Sequence, residues 1–140
     1  MEQSLLVKVK EQLIRHEGLR LKPYRCTAGK LTIGVGRNLE DCGITKPEAS
    51  ILLENDILRC ESELMDNIPD VYNRLNNTRK AVLINMCFNL GINGLLEFCH
   101  TLALIDCGDY ERAANGMLAS KWAKQVGLRA IELSEQMRKG

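Results

Sequence analysis

The chain has 140 residues, of which 45% are hydrophobic and 26% charged, with a formal net charge of +1. That is the length of one domain with ample apolar surface, which excludes wholesale disorder and collagen-like or low-complexity architectures. Aromatic residues make up only 4%, so the core must be mostly aliphatic. No stretch approaches the roughly 18–20 apolar residues of a membrane span, and stable membrane insertion is not expected.

In chain order, Leu6, Val9 and Leu13 share a helical face that Leu5 and Ile14 widen, which predicts a first helix over residues 3–16 ended by Gly18. From Leu19 to Leu39 the character changes. Tyr24, Leu31-Thr32-Ile33 and Val35 favour strands, and Pro23, Gly29, Gly34 and Gly36 punctuate them. A small antiparallel sheet of two or three strands follows, its first pair joined by a turn at Ala28-Gly29. Thr45-Lys46-Pro47-Glu48 is a capping box with proline in the first turn. It opens a long helix whose buried stripe should be Ala49, Leu53, Ile57, Cys60 and Leu64, with Pro69 beyond its end. Thr78 opens a helix that is apolar nearly all round and capped by Gly91, hence central; Asn85 and Asn89, four apart, form its polar exception. Further helices are expected over Gly94–Cys107, Asp109–Ala119 and Leu128 to the end. The predicted fold class is α+β, with a small sheet lobe followed by a larger helical one.

Charge is uneven. Six basic residues and one acid between Arg15 and Arg37 give +5, whereas Glu40 to Asp70 carries −7. Both segments can be solvated faces; the first also suits an anionic polymer. Nucleic acid fits poorly, because few aromatics offer a stacking platform and no zinc-finger or basic-helix pattern exists. The first fifteen residues alternate charged and apolar residues, unlike a secretory signal. A cytoplasmic chain keeps its six cysteines reduced. Cys60, Cys87 and Cys99 read as small core residues. No Cys-x-x-Cys pair is present and neither His16 nor His100 has a ligand partner at useful spacing, so neither a metal nor a cofactor is expected.

The chemistry concentrates where the first helix meets the sheet. Glu17 stands at a helix end, and Cys26, Thr32 and Gly34-Val35-Gly36 follow. A carboxyl beside a cleft can serve as a general acid, though a glutamate near a helix end is more often just solvated.

Glu17-Gly18-Leu19-Arg20-Leu21-Lys22, then Tyr24, then Thr32-Ile33-Gly34-Val35-Gly36 resembles the phage-type lysozymes (glycoside hydrolase family 24). Gly43-Ile44-Thr45 with Glu48-Ala49 resembles the start of that family's interlobe helix. Ile84-Asn85-Met86-Cys87-Phe88-Asn89-Leu90-Gly91, with Gly94 and Phe98, resembles its central helix, and Ala119-Ser120-Lys121-Trp122 with Arg129 its C-terminal part. The resemblance implies one lysozyme domain over 1–140: an N-terminal helix (1–16), a β lobe (17–44), an interlobe helix (45–67) and a helical lobe (68–140), with a cleft between the lobes.

It further implies a muramidase that cleaves the β-1,4 bond between N-acetylmuramic acid and N-acetylglucosamine in peptidoglycan glycan strands. Glu17 matches the general acid and Thr32 the residue that helps hold the attacking water. Arg129 falls where the family pairs an arginine with the acid; Asn89, with Asn85 on the same stripe, falls where an amide lines the sugar site, although both amides can equally cap neighbouring loops. Cys26 stands where aspartate is commoner. A thiol has a pKa near 8.5, so little is thiolate at neutral pH without help, which Arg20, Lys22, Arg25 and Lys30 are placed in sequence to give. Cys26 can then be base, nucleophile or spectator. By the same resemblance the protein is a monomer that waits in the host bacterial cytoplasm until a holin opens the inner membrane, and acts in host lysis. The competing readings are a lytic transglycosylase using Glu17 alone, a catalytically dead peptidoglycan-binding module, and a cysteine hydrolase using Cys26 with His16 or His100.

Overall fold

Glycines set the breaks of the N-terminal part. In the computed structural model, which describes all 140 residues, helix α1 (Gln3–Glu17) stops at Gly18, whose φ of 77° is left-handed and whose N–H closes on Ile14. Strand β1 (Arg20–Arg25) then pairs antiparallel with β2 (Leu31–Gly34), and β2 with β3 (Arg37–Asn38), giving the sheet order β1-β2-β3. Tyr24 faces Thr32 and Arg20 faces Gly34, so the register slips between them. Three residues of β1 there oppose one of β2. Pro23 sits in this bulge, where its missing N–H costs the ladder nothing. A one-turn helix α2 (Leu39–Cys42) is capped by Asn38, whose side chain accepts from the Asp41 N–H.

The capping box forms as the sequence predicts. The Thr45 N–H donates to Glu48 Oε1 (2.9 Å) and the Glu48 N–H to Thr45 Oγ1 (3.3 Å), which opens helix α3 (Lys46–Asn67). The predicted stripe is buried only in its last two turns. Cys60 and Leu64 are in the core, but Leu53 and Ile57 are 48% and 38% exposed and Ala49 is also exposed. The α3 periodicity marks an apolar face; it does not say where along the helix the core begins.

Contacts divide the chain into two compact units, Met1–Ser50 and Ile51–Gly140. The second holds the core: Leu64, Tyr72, Val82, Leu83, Met86, Leu95, Met117 and Met137 are among its fully enclosed side chains. After α4 (Pro69–Asn73), Asn76 caps α5 (Asn77–Leu96), and Gly91 at φ 75° breaks that helix where the sequence placed its end. The helix is not buried all round: Asn85 and Asn89 are exposed and Phe88 is 46% exposed. The helix expected over Gly94–Cys107 is two pieces, the end of α5 and α6 (Cys99–Asp106), turning at Glu97-Phe98. Asp109 caps α7 (Tyr110–Leu118), Ser120 caps a short α8 (Lys121–Val126) that periodicity missed, and α9 (Leu128–Lys139) ends the chain. Arg79 stacks 3.5 Å over the Tyr110 ring and donates to the carbonyls of Met137 and Arg138, satisfying the open end of α9. Cys99, expected in the core, is exposed at the start of α6.

Candidate active site

The last residue of α1 is Glu17, so the break at Gly18 fixes where its carboxyl begins. The carboxyl lies against the tight turn between β2 and β3. A Cβ placed on Gly36 would stand 3.1 Å from Glu17 Oε2 and 3.2 Å from its Cδ. Gly36 also has φ 67°. Two independent demands therefore call for glycine there: a backbone conformation L side chains avoid, and room for the acid.

Cys26 follows β1 directly and opens the turn to β2. Its N–H donates to the Lys30 carbonyl (3.0 Å) and its carbonyl accepts from Gly29 (2.8 Å), with Gly29 at φ 78°. The thiol is partly exposed. Backbone hydrogen bonds from Lys30 and then Ala28 hold its pKa below the ordinary thiol value, with a smaller contribution from the Thr32 hydroxyl. This departs from the sequence expectation that nearby cations would do the work. Arg25 is bound to Glu40 (2.6 Å), Lys30 pairs with Asp41 (3.5 Å) and Arg20 stacks 4.3 Å over Tyr24. No histidine is among the groups that shift the thiol either.

Thr32 occupies the central strand, paired with Tyr24 on one side and Asn38 on the other. It is 3% exposed, and its hydroxyl donates to the Lys30 carbonyl at 2.9 Å. A hydroxyl carries one proton, so donation to Lys30 and donation to a Cys26 thiolate exclude each other, while its lone pairs stay free to accept from a water. Glu17, Cys26 and Thr32 thus all stand in the first unit, Cys26 opening the turn and Thr32 on the strand that the turn leads into. Cys87 contrasts with Cys26: that thiol is packed in the core, and burial pushes it up to about 12, which disfavours the thiolate.

The other predicted residues stand in the second unit. Asn89 Oδ1 accepts from the Trp122 indole N–H (2.8 Å), and Trp122 meets Phe98 edge to face at 6.0 Å. Asn85 Oδ1 accepts from Arg129 Nε (2.9 Å). Asn85 and Arg129 line a groove of about 430 Å³ with Leu53, Ile57, Ala81, Ile84 and Phe88. Each amide has a side-chain partner, and neither caps a loop.

Sequence reasoning missed Glu40. Its Oε1 accepts from both Arg25 and the Leu31 N–H (2.9 Å), and the Leu31 bond first, then Arg25, holds the carboxyl below its usual range. Arg37 likewise forks onto Glu48 (3.0 and 2.7 Å), joining the sheet to the capping box. Three of the six basic residues of the +5 segment are therefore neutralised by acids of the following segment.

Residues 14–138 match the family model described as phage lysozyme. The chain is 31% identical over 146 residues to a probable T4-type lysozyme 1 of Dictyostelium discoideum, with 84% of this chain and 86% of that protein covered. It is 32% identical over 114 residues to an endolysin of Acyrthosiphon pisum secondary endosymbiont phage 1, covering 79% and 73%. It is also 30% identical over 151 residues to the pre-baseplate central spike protein Gp5 of Enterobacteria phage T4, covering 89% of this chain but 26% of that one. With an α+β fold and nearly its whole length matched, the chain belongs to the phage lysozyme family and is a glycoside hydrolase of lysozyme type that acts on peptidoglycan.

Proposed function

We propose that the bond cut is the β-1,4 linkage between N-acetylmuramic acid and N-acetylglucosamine, with Glu17 as general acid and Cys26 as general base. Glu17 donates its proton to the glycosidic oxygen as the bond to the anomeric carbon breaks. A water held by Thr32 adds to that carbon from the opposite face, and its proton passes to the Cys26 sulfur. The product is inverted at the anomeric centre. Asn89, with Asn85 on the same stripe, keeps the sugar-binding role that the family resemblance implies, and Arg129, bound to Asn85 in the same groove, is proposed to act with them.

One observation carries this reading above a spectator role: Cys26, where the family commonly has aspartate, is a thiol whose ionised form is favoured by backbone donors of its own turn. A thiolate can accept the proton that a carboxylate would accept, and a lowered thiol pKa raises the share of sulfur in that form. The same sulfur as nucleophile would give retention through a thioglycosyl intermediate, and the anomer separates the two. The test is digestion of purified cell walls by wild type, Cys26→Ala and Cys26→Asp, with the first product followed by NMR. Aspartate keeps activity, alanine lowers it about a hundredfold or more, and the first product is inverted. An alanine variant within about threefold of wild type removes the base from the account.

The biological setting proposed is host lysis by a monomer that accumulates in the host bacterial cytoplasm and reaches the wall through a holin lesion. The endolysin relative supports it. A second setting, as a lysozyme module of a larger virion protein, is favoured by the match to a quarter of the spike protein. Loss of lysis in a holin-deficient host supports the first; unchanged lysis refutes it.

A further inference from the structure

We propose that Glu40 is a positioning residue for Cys26, clamping the turn that presents the thiol; the consequence for catalysis rests on the Cys26 reading above, the clamp itself does not. The turn from Cys26 to Lys30 leaves β1 at Arg25 and enters β2 at Leu31. Glu40 grips both ends with one oxygen. Oε1 accepts from Arg25 Nη1 (2.6 Å) and from the Leu31 N–H (2.9 Å). The same Nη1 reaches across the turn to the Gly29 carbonyl at 3.1 Å. Glu40 is itself held by α2, whose first turn follows the Asn38 cap. Asp41 of that turn takes Lys30, so α2 contacts the turn at both of its ends and at Lys30.

The groups that favour the Cys26 thiolate belong to this turn: the backbone of Lys30 and Ala28, with Thr32 one residue beyond Leu31. Backbone donors do this only while the turn keeps its shape. In the first unit no apolar side chain is buried, so packing does not hold that shape. Polar contacts must, and the Glu40–Arg25 pair makes most of them: each side chain holds the other and one backbone group of the turn or its edge. An exposed ion pair adds little to stability. The clamp's effect lies in geometry, where small displacements cost rate.

The experiment alkylates Cys26 with iodoacetamide across pH, reading the modified site by peptide mass, and measures kcat on cell walls. It is applied to wild type, Glu40→Ala and Arg25→Ala. The expected result is a rise of the Cys26 inflection toward the ordinary thiol range in Glu40→Ala and a smaller rise in Arg25→Ala. Alkylation at pH 7 slows about threefold or more as the thiolate fraction falls. kcat drops about ten- to hundredfold in Glu40→Ala, and that drop vanishes in a Cys26→Ala background, because the two residues act as one unit. If the inflection moves but kcat does not, the clamp stands and the catalytic reading of Cys26 falls. If kcat drops with the inflection unchanged, or neither moves in folded protein, the proposal is wrong. Should Glu40→Ala fail to fold, an unmoved inflection in Arg25→Ala overturns the proposal by itself.

Discussion

The two units of this chain are held together by different physics. In Ile51–Gly140, seventeen apolar side chains from Cys60 to Met137 form one enclosed core, and helix ends are closed by caps such as Asn76, Asp109 and Ser120. In Met1–Ser50 a single residue is buried, Thr32, and it is polar and part of the candidate site. That unit keeps its shape through left-handed glycines, a bulge, ladder hydrogen bonds and the acid pairs Glu40–Arg25 and Glu48–Arg37. The difference teaches where function is placed. Local stability tracks buried apolar contact, so the proposed acid and base stand on the unit that owes least to a core. The residues around them are fixed by hydrogen-bond geometry.

The comparison breaks most sharply under core truncation. Leu83→Ala or Met86→Ala should cost about 2–5 kcal/mol in denaturant unfolding, whereas Leu21→Ala, on an exposed strand residue, should stay within about 0.5 kcal/mol. A large loss at Leu21 would mean that the sheet has a core of its own. Gly36→Ala comes next. Its positive φ alone costs roughly 1–2 kcal/mol, and the new methyl must displace the Glu17 carboxyl. Activity should fall about tenfold or more, beyond what the change in unfolding midpoint explains. Equal activity would show that Glu17 does not need its present seat.

Acid titration sharpens the polar half of the comparison. Glu48 is drawn down to about 2, first by the Arg37 guanidinium and then by the Thr45 N–H. A depressed carboxyl stabilises the fold above its unfolded value near 4.3, and that contribution is lost as pH falls through the folded value. Between about pH 5 and 2 the melting midpoint should therefore fall less steeply in Glu48→Gln than in wild type. Parallel curves would remove the pair from the account. The smallest effect concerns salt. With Arg25, Lys30 and Arg37 already paired, half of the six cations from Arg15 to Arg37 (Arg15, Arg20 and Lys22) are left to steer the protein to an anionic wall. Raising ionic strength from about 50 to 150 mM should weaken wall binding only a few-fold.

Much of this was legible in the sequence, for local reasons. Gly18, the Thr45–Glu48 box and Gly91 act within four residues of themselves, and each forms where the sequence placed it. What was not legible depends on residues far apart in the chain. Leu53 and Ile57 carry the α3 periodicity but miss the core, because burial depends on what packs against a helix. α8 is too short to show a period. Asn85 and Asn89 were read as lining the sugar site or capping loops, and their side-chain partners stayed hidden because Arg129 and Trp122 lie 44 and 33 residues away. Glu40 was hidden in an acidic run, and nothing in the run marks one carboxylate as aimed at a turn that begins fourteen residues earlier. The help given to Cys26 was assigned to side-chain cations because sequence displays charges and conceals backbone N–H directions.

The central claim is that one carboxyl, Glu17, delivers the proton that breaks the glycan. Its most direct test is digestion of purified peptidoglycan by wild type and Glu17→Gln, with products identified by mass. The account predicts fragments one water heavier than the transglycosylase products for the wild type, and no release above background for the amide variant. Anhydro-muramic products from the wild type, or walls dissolving at the wild-type rate with Glu17→Gln, would contradict it.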